Sequence, residues 1–248
     1  MKKGFFSFAA AVLLLVAVWE TAVRVFSIPE YLLPTPTAVF AYIVQHSGFL
    51  IVHLASTFLE ATLGLVLALV CAFFLAAFFA VSQPLKRLSL PIVVGLQAVP
   101  VVAIAPLLSL WIGVGLVSKV AMAMLLCWFP MIINAVRGFE STTLEQRALF
   151  TIYGSKRSQI FLHLQVPQSM RFLVSGARTS AGLAMIGAIV SEYTGANLGL
   201  GYLIMQATYQ LDTVELFAAI LLAAVSGLLL SWSVGLAERT ILRRYLRT

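Results

Sequence analysis

Apolar residues run through this chain in blocks, and the blocks are long. Windows of about 20 residues, enough for a helix to cross a hydrocarbon core of about 30 Å, fit 5–26, 54–81, 89–112, 116–138, 172–192 and 214–236. The pattern predicts an all-α polytopic membrane protein with six transmembrane helices. Between the first two blocks, Pro29, Pro34 and Pro36 precede Ala38, Val39, Phe40, Tyr42, Ile43 and Val44, which suits an extended turn leading into a short interfacial helix. The third block carries Pro91, Pro100, Pro106 and Gly95, so its hydrogen-bond ladder should break. Broken backbone at membrane depth survives only inside protein or around a wet cavity. That puts Pro100 and its neighbours Gln97 and Val101 beside a translocation route, or else marks a kink that serves packing alone.

Composition agrees with the pattern: 61% of the 248 residues are hydrophobic and only 10% are charged, against about 25% in a soluble domain. A water-soluble fold is excluded. The formal charge of +7 lies between the apolar blocks rather than along one face, so it points to loops beside a membrane and away from nucleic acid. Thirteen of the sixteen Lys and Arg residues fall on one side: Lys2, Lys3, Lys86, Arg87, Arg137, Arg147, Lys156, Arg157, Arg171, Arg239, Arg243, Arg244 and Arg247. Arg24 and Lys119 fall on the other, and Arg178 lies within the fifth block. Positive charge stays in the cytoplasm, so both termini are read as cytoplasmic. Met1-Lys2-Lys3 before an apolar run also suits a secretory signal, but the run continues to Phe26, which favours a retained first span. Cys71 and Cys127 sit singly in apolar runs and read as small buried hydrophobes.

Ionisable groups at membrane depth are costly and usually face a bundle interior or a wet cavity. Glu60, Glu192, Arg178 and the shallower His53 are the candidates here. Glu60 and Glu192 are placed at the external mouth of a pathway, with interhelical pairing open for Glu60 and a plain helix-end position open for Glu192. Arg178 reads as an anchor of the cytoplasmic half of its span or as a residue snorkelling inward. In the same span Gly176, Ser180, Ala184 and Ala188 recur every four residues, a stripe of small side chains that lets another helix approach closely.

The longest polar stretch, 140–171, is far more than a turn needs. Thr142 with Glu145 and Thr143 with Gln146 form two overlapping capping boxes, so a helix should begin there and end at Gly154. Ser155 is placed to cap a second short helix running towards Pro167, with Leu144, Ala148 and Ile152 sharing one face of the first. Such a pair presents an edge to a docked partner, or lies on the membrane as an ordinary amphipathic loop.

Gly154, nine residues, then Leu164-Gln165-Val166-Pro167 resembles the glycine and I-x-L-P end of the cytoplasmic signature of permeases in ATP-binding-cassette (ABC) importers. The resemblance runs along nearly the whole chain: Leu33-Pro34-Thr35-Pro36-Thr37, Gln97-Ala98-Val99-Pro100, Ala105-Pro106-Leu107-Leu108, Trp111-Ile112-Gly113-Val114-Gly115, Trp128-Phe129-Pro130 and Leu198-Gly199-Leu200-Gly201-Tyr202-Leu203-Ile204. It implies a type I importer permease that pairs with a second permease copy, binds two cytoplasmic ATPase subunits and receives solute from an external binding protein. A single permease domain over 1–248 is then expected, with its core at about 50–236, its coupling segment at about 140–171, and its place in a bacterial inner membrane. The signature's opening Glu-Ala-Ala aligns with Ala148-Leu149-Phe150, so its glutamate is missing and Glu145, one turn earlier, stands in a position to substitute. The resemblance makes Glu145, Ala148, Leu149, Phe150, Gly154 and Pro167 the ATPase-coupling residues, with the bulk of Leu149 and Phe150 fitting a dedicated ATPase. No GxxxxGK[ST] loop is present, so the chain is expected to bind no cofactor, with ATP and Mg on the partner ATPase.

The resembling permeases carry sulfonates, taurine, nitrate, thiamine-precursor pyrimidines or riboflavin-like heterocycles. A route for anions should offer cations, yet the outer half has only Arg24 and Lys119, offset by Glu60 and Glu192. The runs Thr57-Phe58-Leu59-Glu60-Ala61-Thr62-Leu63-Gly64 and Gly187-Ala188-Ile189-Val190-Ser191-Glu192 also look most like the thiamine-precursor type. A membrane-embedded enzyme would need a nucleophile and base together, but His46 and His53 lie outside and His163 inside. A passive channel would have no use for the capped cytoplasmic segment.

Overall fold

The computed structural model describes residues 2–245, and among them every regular element is helical. Helix α1 (Lys2–Val25) leads through a proline-bearing turn into α2 (Pro36–Gln45), whose start is capped by the Thr35 hydroxyl accepting from the Ala38 N–H at 3.2 Å. Glu20 near the end of α1 accepts from the Thr37 N–H and hydroxyl, at 3.1 and 3.0 Å, and so ties the two helices together. Then come α3 (Ser47–Val81), α4 (Gln83–Gly95), α5 (Ala105–Ile112), α6 (Leu116–Glu140), α7 (Leu144–Ile152), α8 (Arg157–Ile160), α9 (Val166–Glu192), α10 (Leu200–Gln210) and α11 (Thr213–Tyr245).

Four stretches are long and apolar enough to cross a membrane without interruption: Ser47–Val81, Leu116–Glu140, Arg157–Glu192 and Thr213–Glu238. The block at 89–112 is not one of them. Pro91 is absorbed inside α4, but the ladder fails between Gly95 and Ala105, where 3-10 turns at Leu96–Ala98 and Val101–Ile104 flank Pro100. A helix regains its pitch only at α5, where Pro106 falls in the first turn and its missing N–H costs nothing. The break expected in the third block is present, around Pro100 rather than at Pro91.

The core is a three-helix contact of α3, α6 and α9, held at a spacing set by small residues. Ala123 of α6 is the meeting point: a Cβ on Gly64 of α3 would come within 2.5 Å of the Ala123 side chain, and one on Gly187 of α9 within 2.6 Å of its Cα. All three backbones touch here, which is how helices associate where burial from water offers no driving force. Gly176, Ser180, Ala184 and Ala188 are all buried, Gly176 against Asn134 of α6. The Cys127 thiol of α6 donates to the Ser180 carbonyl at 3.3 Å. Arg178 is not drawn into this interface: its side chain is 59% exposed beside α11, 4.0 Å from Glu238.

Candidate functional site

At the end of the bundle formed by the start of α6 and the end of α9, polar side chains converge under apolar cover. Glu60 of α3 is 2% exposed, Glu192 of α9 is fully buried with its carboxyl group next to that of Glu60, and Lys119 of α6 is 8% exposed. Lys119 Nζ is 2.8 Å from Glu60 Oε1 and also donates to the Leu198 carbonyl at 3.1 Å. Glu192 does different work. Its Oε2 accepts from the Gly201 N–H at 2.6 Å and its Oε1 from the Thr57 hydroxyl at 2.7 Å, while Thr57 in turn accepts from the Leu200 N–H at 2.7 Å. The Gly199 N–H reaches His53 Nδ1 at 3.1 Å.

These contacts amount to a cap for α10 assembled from other helices. The first N–H groups of a helix have no partner within it, and a buried helix start must find them elsewhere. Here a carboxylate, a hydroxyl and an imidazole supply them, the carboxylate also meeting the positive end of the helix dipole. The loop sequence follows from that geometry. Gly199 sits at φ 124°, closed to L side chains, and a Cβ there or on Gly201 would overlap the Glu192 carboxylate. The Leu-Gly-Leu-Gly run is the shape required to bring backbone N–H groups onto a buried acid.

Glu60 and Glu192 therefore do not line an open mouth in this conformation. They are closed inside one chain, because an ion pair and a helix start need them there. Lys119 is what the sequence reading missed, taken as an external loop charge. The available signal was charge balance: an acid six residues beyond the interface demands a partner, and Lys119 is the single cation in the apolar run that follows Gly115. Helix α10 was missed too, its start being defined by residues far away in sequence. One atom stays unsatisfied: Glu60 Oε2 is buried without a hydrogen-bond partner among the described residues. Gln97 and Pro100 are exposed on the broken α4–α5 element.

The opposite end carries the polar segment 140–171. Thr143 and Gln146 form the capping box that opens α7: the Gln146 N–H donates to the Thr143 hydroxyl at 3.2 Å and the Thr143 N–H to Gln146 Oε1 at 3.0 Å. The overlapping box from Thr142 does not form, because its hydroxyl accepts from Arg147 Nε at 2.8 Å. Gly154 at φ 74° closes the helix, with its N–H on the Thr151 carbonyl and the Ser155 N–H on the Phe150 carbonyl, both at 3.0 Å. That closure uses the backbone of Ser155, so α8 starts one residue later than expected, with Lys156 in the capping position. The helix does not stop before Pro167 either. Phe161–Gln165 winds as a π-turn, and this wider turn receives the ring and missing N–H of Pro167, so the chain continues into α9.

No residue of α7 is buried. Leu144 is 82% exposed, Ile152 81% and Leu149 52%; Ala148 and Glu145 are exposed and Phe150 is half-buried. The Thr143 hydroxyl and the backbone N–H hold the Glu145 carboxyl below its ordinary range, so it is an anion at neutral pH. The helix is tied back to the start of α9 through Gln168 Nε2 donating to Gln146 Oε1 at 3.1 Å, and to α6 by the short link through Thr142, whose hydroxyl accepts from Arg147 of α7. A pull on α7 is thus a pull on α6 and α9.

Residues 64–246 match the family described as binding-protein-dependent transport system inner membrane component. The chain is 35% identical over 218 residues to the formylaminopyrimidine transport permease protein ThiX of Halalkalibacterium halodurans, covering 88% of this chain and 87% of that one. It is 36% identical over 233 residues to the riboflavin transport system permease protein RibX of Chloroflexus aurantiacus, covering 93% and 87%. To a putative aliphatic sulfonates transport permease protein, SsuC of Bacillus subtilis, it is 29% identical over 232 residues, covering 92% and 84%. A helical bundle with several membrane-crossing helices, matched over most of its length by transport permeases, belongs to the binding-protein-dependent inner membrane components, the multi-pass permease subunits of ABC importers whose ATPase is a separate subunit.

Proposed function

We propose that this permease carries a neutral heterocycle of the formylaminopyrimidine or riboflavin kind, rather than a sulfonate, taurine or nitrate. The observation that carries the reading is the state of the outer cations. Lys119 is held by Glu60 at 2.8 Å and Arg24 by Glu20 at 2.5 Å, so the positive charge an anionic solute would seek is already neutralised. The names of ThiX and RibX point the same way. In this reading the chain crosses the membrane six times with both termini cytoplasmic, the broken α4–α5 element supplying one crossing. It pairs with a second copy, and Gln97 and Pro100 face the route between them. Glu60 and Glu192 act on the route from behind, by fixing the loop before α10.

Two ATPase subunits hold ATP and Mg and grip α7, with Glu145 in the role of the missing signature glutamate, Leu149 and Phe150 filling their cleft, and Gly154 and Pro167 setting the bend. Closure of the nucleotide sites moves α7, and through Gln146–Gln168 the motion reaches the core helices and switches access. The test is uptake by the reconstituted complex with its binding protein. Labelled formylaminopyrimidine or riboflavin should accumulate with ATP and resist excess taurine. Accumulation of taurine or an alkylsulfonate in its place would overturn the substrate reading.

A further inference from the structure

A second site lies on the inner side of α7, where a cavity of about 420 Å³ opens between the end of α3, the start of α4, α7 and the π-turn. Two arginines line it, Arg147 from α7 and Arg157 from α8, and its lining includes no carboxylate. Arg147 commits Nε to the Thr142 hydroxyl, and its two terminal nitrogens make no hydrogen bond among the described residues. Arg157 has no acidic partner among the described residues. Gln165 forms the third polar wall. It is only 8% exposed, and its amide makes no hydrogen bond among the described residues. An amide and two guanidinium forks facing one cavity that has no carboxylate in its lining form a cluster of donors able to converge on one anion.

The missing partner must offer several acceptor oxygens and negative charge, as a phosphate group does. The rest of the wall says where that phosphate comes from. Val81, 75% exposed at the end of the 35-residue span α3, and half-buried Phe161 give the cavity an apolar flank continuous with the membrane-crossing surface of α3. This end carries the chain's excess of Lys and Arg, the side that faces the anionic cytoplasmic leaflet. We propose that Arg147, Arg157 and Gln165 bind a phosphate group, supplied by the headgroup of an anionic membrane lipid whose acyl chains run along Val81 and Phe161. Bound there, the phosphate ties α7 to α3 and α9 from the face opposite the bulk cytoplasm, so lipid composition sets how firmly the coupling helix is seated.

The full chain in nanodiscs of phosphatidylcholine with phosphatidylglycerol tests this by native mass spectrometry. Wild type should retain phosphatidylglycerol, and R157Q and Q165L about tenfold less. R87Q, which removes an exposed arginine outside the cavity, should match wild type. R157Q alters an exposed, unpaired side chain and keeps the fold, which a melting curve verifies. A second arm adds inorganic phosphate to chain in phosphatidylcholine alone. A rise in melting temperature for wild type but not R157Q, without selective lipid retention, keeps the phosphate site and makes its source soluble. Equal lipid retention by wild type and R157Q with no phosphate effect, or an equal loss in R87Q, overturns the site.

Discussion

The two ends of this bundle handle polar groups in opposite ways. At one, Lys119, Glu60, Glu192, Thr57 and His53 leave the solvent and bond to one another and to a loop within a single chain, with Glu60 Oε2 left without a partner among the described residues. At the other, α7 keeps Leu144, Ala148 and Ile152 in the open and buries nothing. The difference separates what the chain completes alone from what it leaves to a partner. A charge cluster under apolar cover must close on itself, since one unmatched member costs several kcal/mol. An apolar stripe on a polar segment has no such obligation until a second protein covers it.

Substitutions should therefore divide by end. The largest effect belongs to Lys119→Leu, which strands Glu60 and frees the Leu198 carbonyl; about 3–5 kcal/mol should be lost in thermal unfolding of the detergent-solubilised chain. Adding Glu60→Leu should recover most of it, and a double variant no more stable than the single would break the comparison. Next, Gly199→Ala forces a side chain into a positive-φ position against Glu192, with about 1–3 kcal/mol of backbone strain before the carboxylate shifts, read in the same melt. Ile152→Glu should do the reverse. Melting of the lone chain should move by no more than about 0.5 kcal/mol, while ATPase copurification falls about thirtyfold, a loss of about 2 kcal/mol. The smallest change is Thr143→Ala, worth about 1 kcal/mol at the start of α7 and visible as about fivefold faster amide exchange there.

Periodicity made the helices legible, and local chemistry made α7 legible, because a capping box and a glycine stop both act within a few residues of chain. The small-residue stripe of α9 was readable for the same reason, each step being one helical turn. What stayed hidden depends on distance in sequence. The Lys119–Glu60 pair joins helices 59 residues apart, and the Thr57–Glu192 contact spans 135. A helix such as α10, whose start is capped by α3 and α9, has no local start signal. The late start of α8 and its passage through Pro167 turned on a backbone closure and a π-turn, neither of which follows from residue type alone.

The π-turn at Phe161–Gln165 has a consequence for how the molecule is aimed. One more residue than an α-helical turn needs is wound into that stretch, and each residue of an α-helix advances its direction by about 100°. Deleting a single position there would regularise the winding and swing α8 and α7 by more than a quarter revolution about the α9 axis. The exposed stripe of α7 would then point elsewhere, and Pro167, no longer received by a wider turn, would strain the helix against the carbonyl four residues before it. The angular setting of the drive train is written in those five residues.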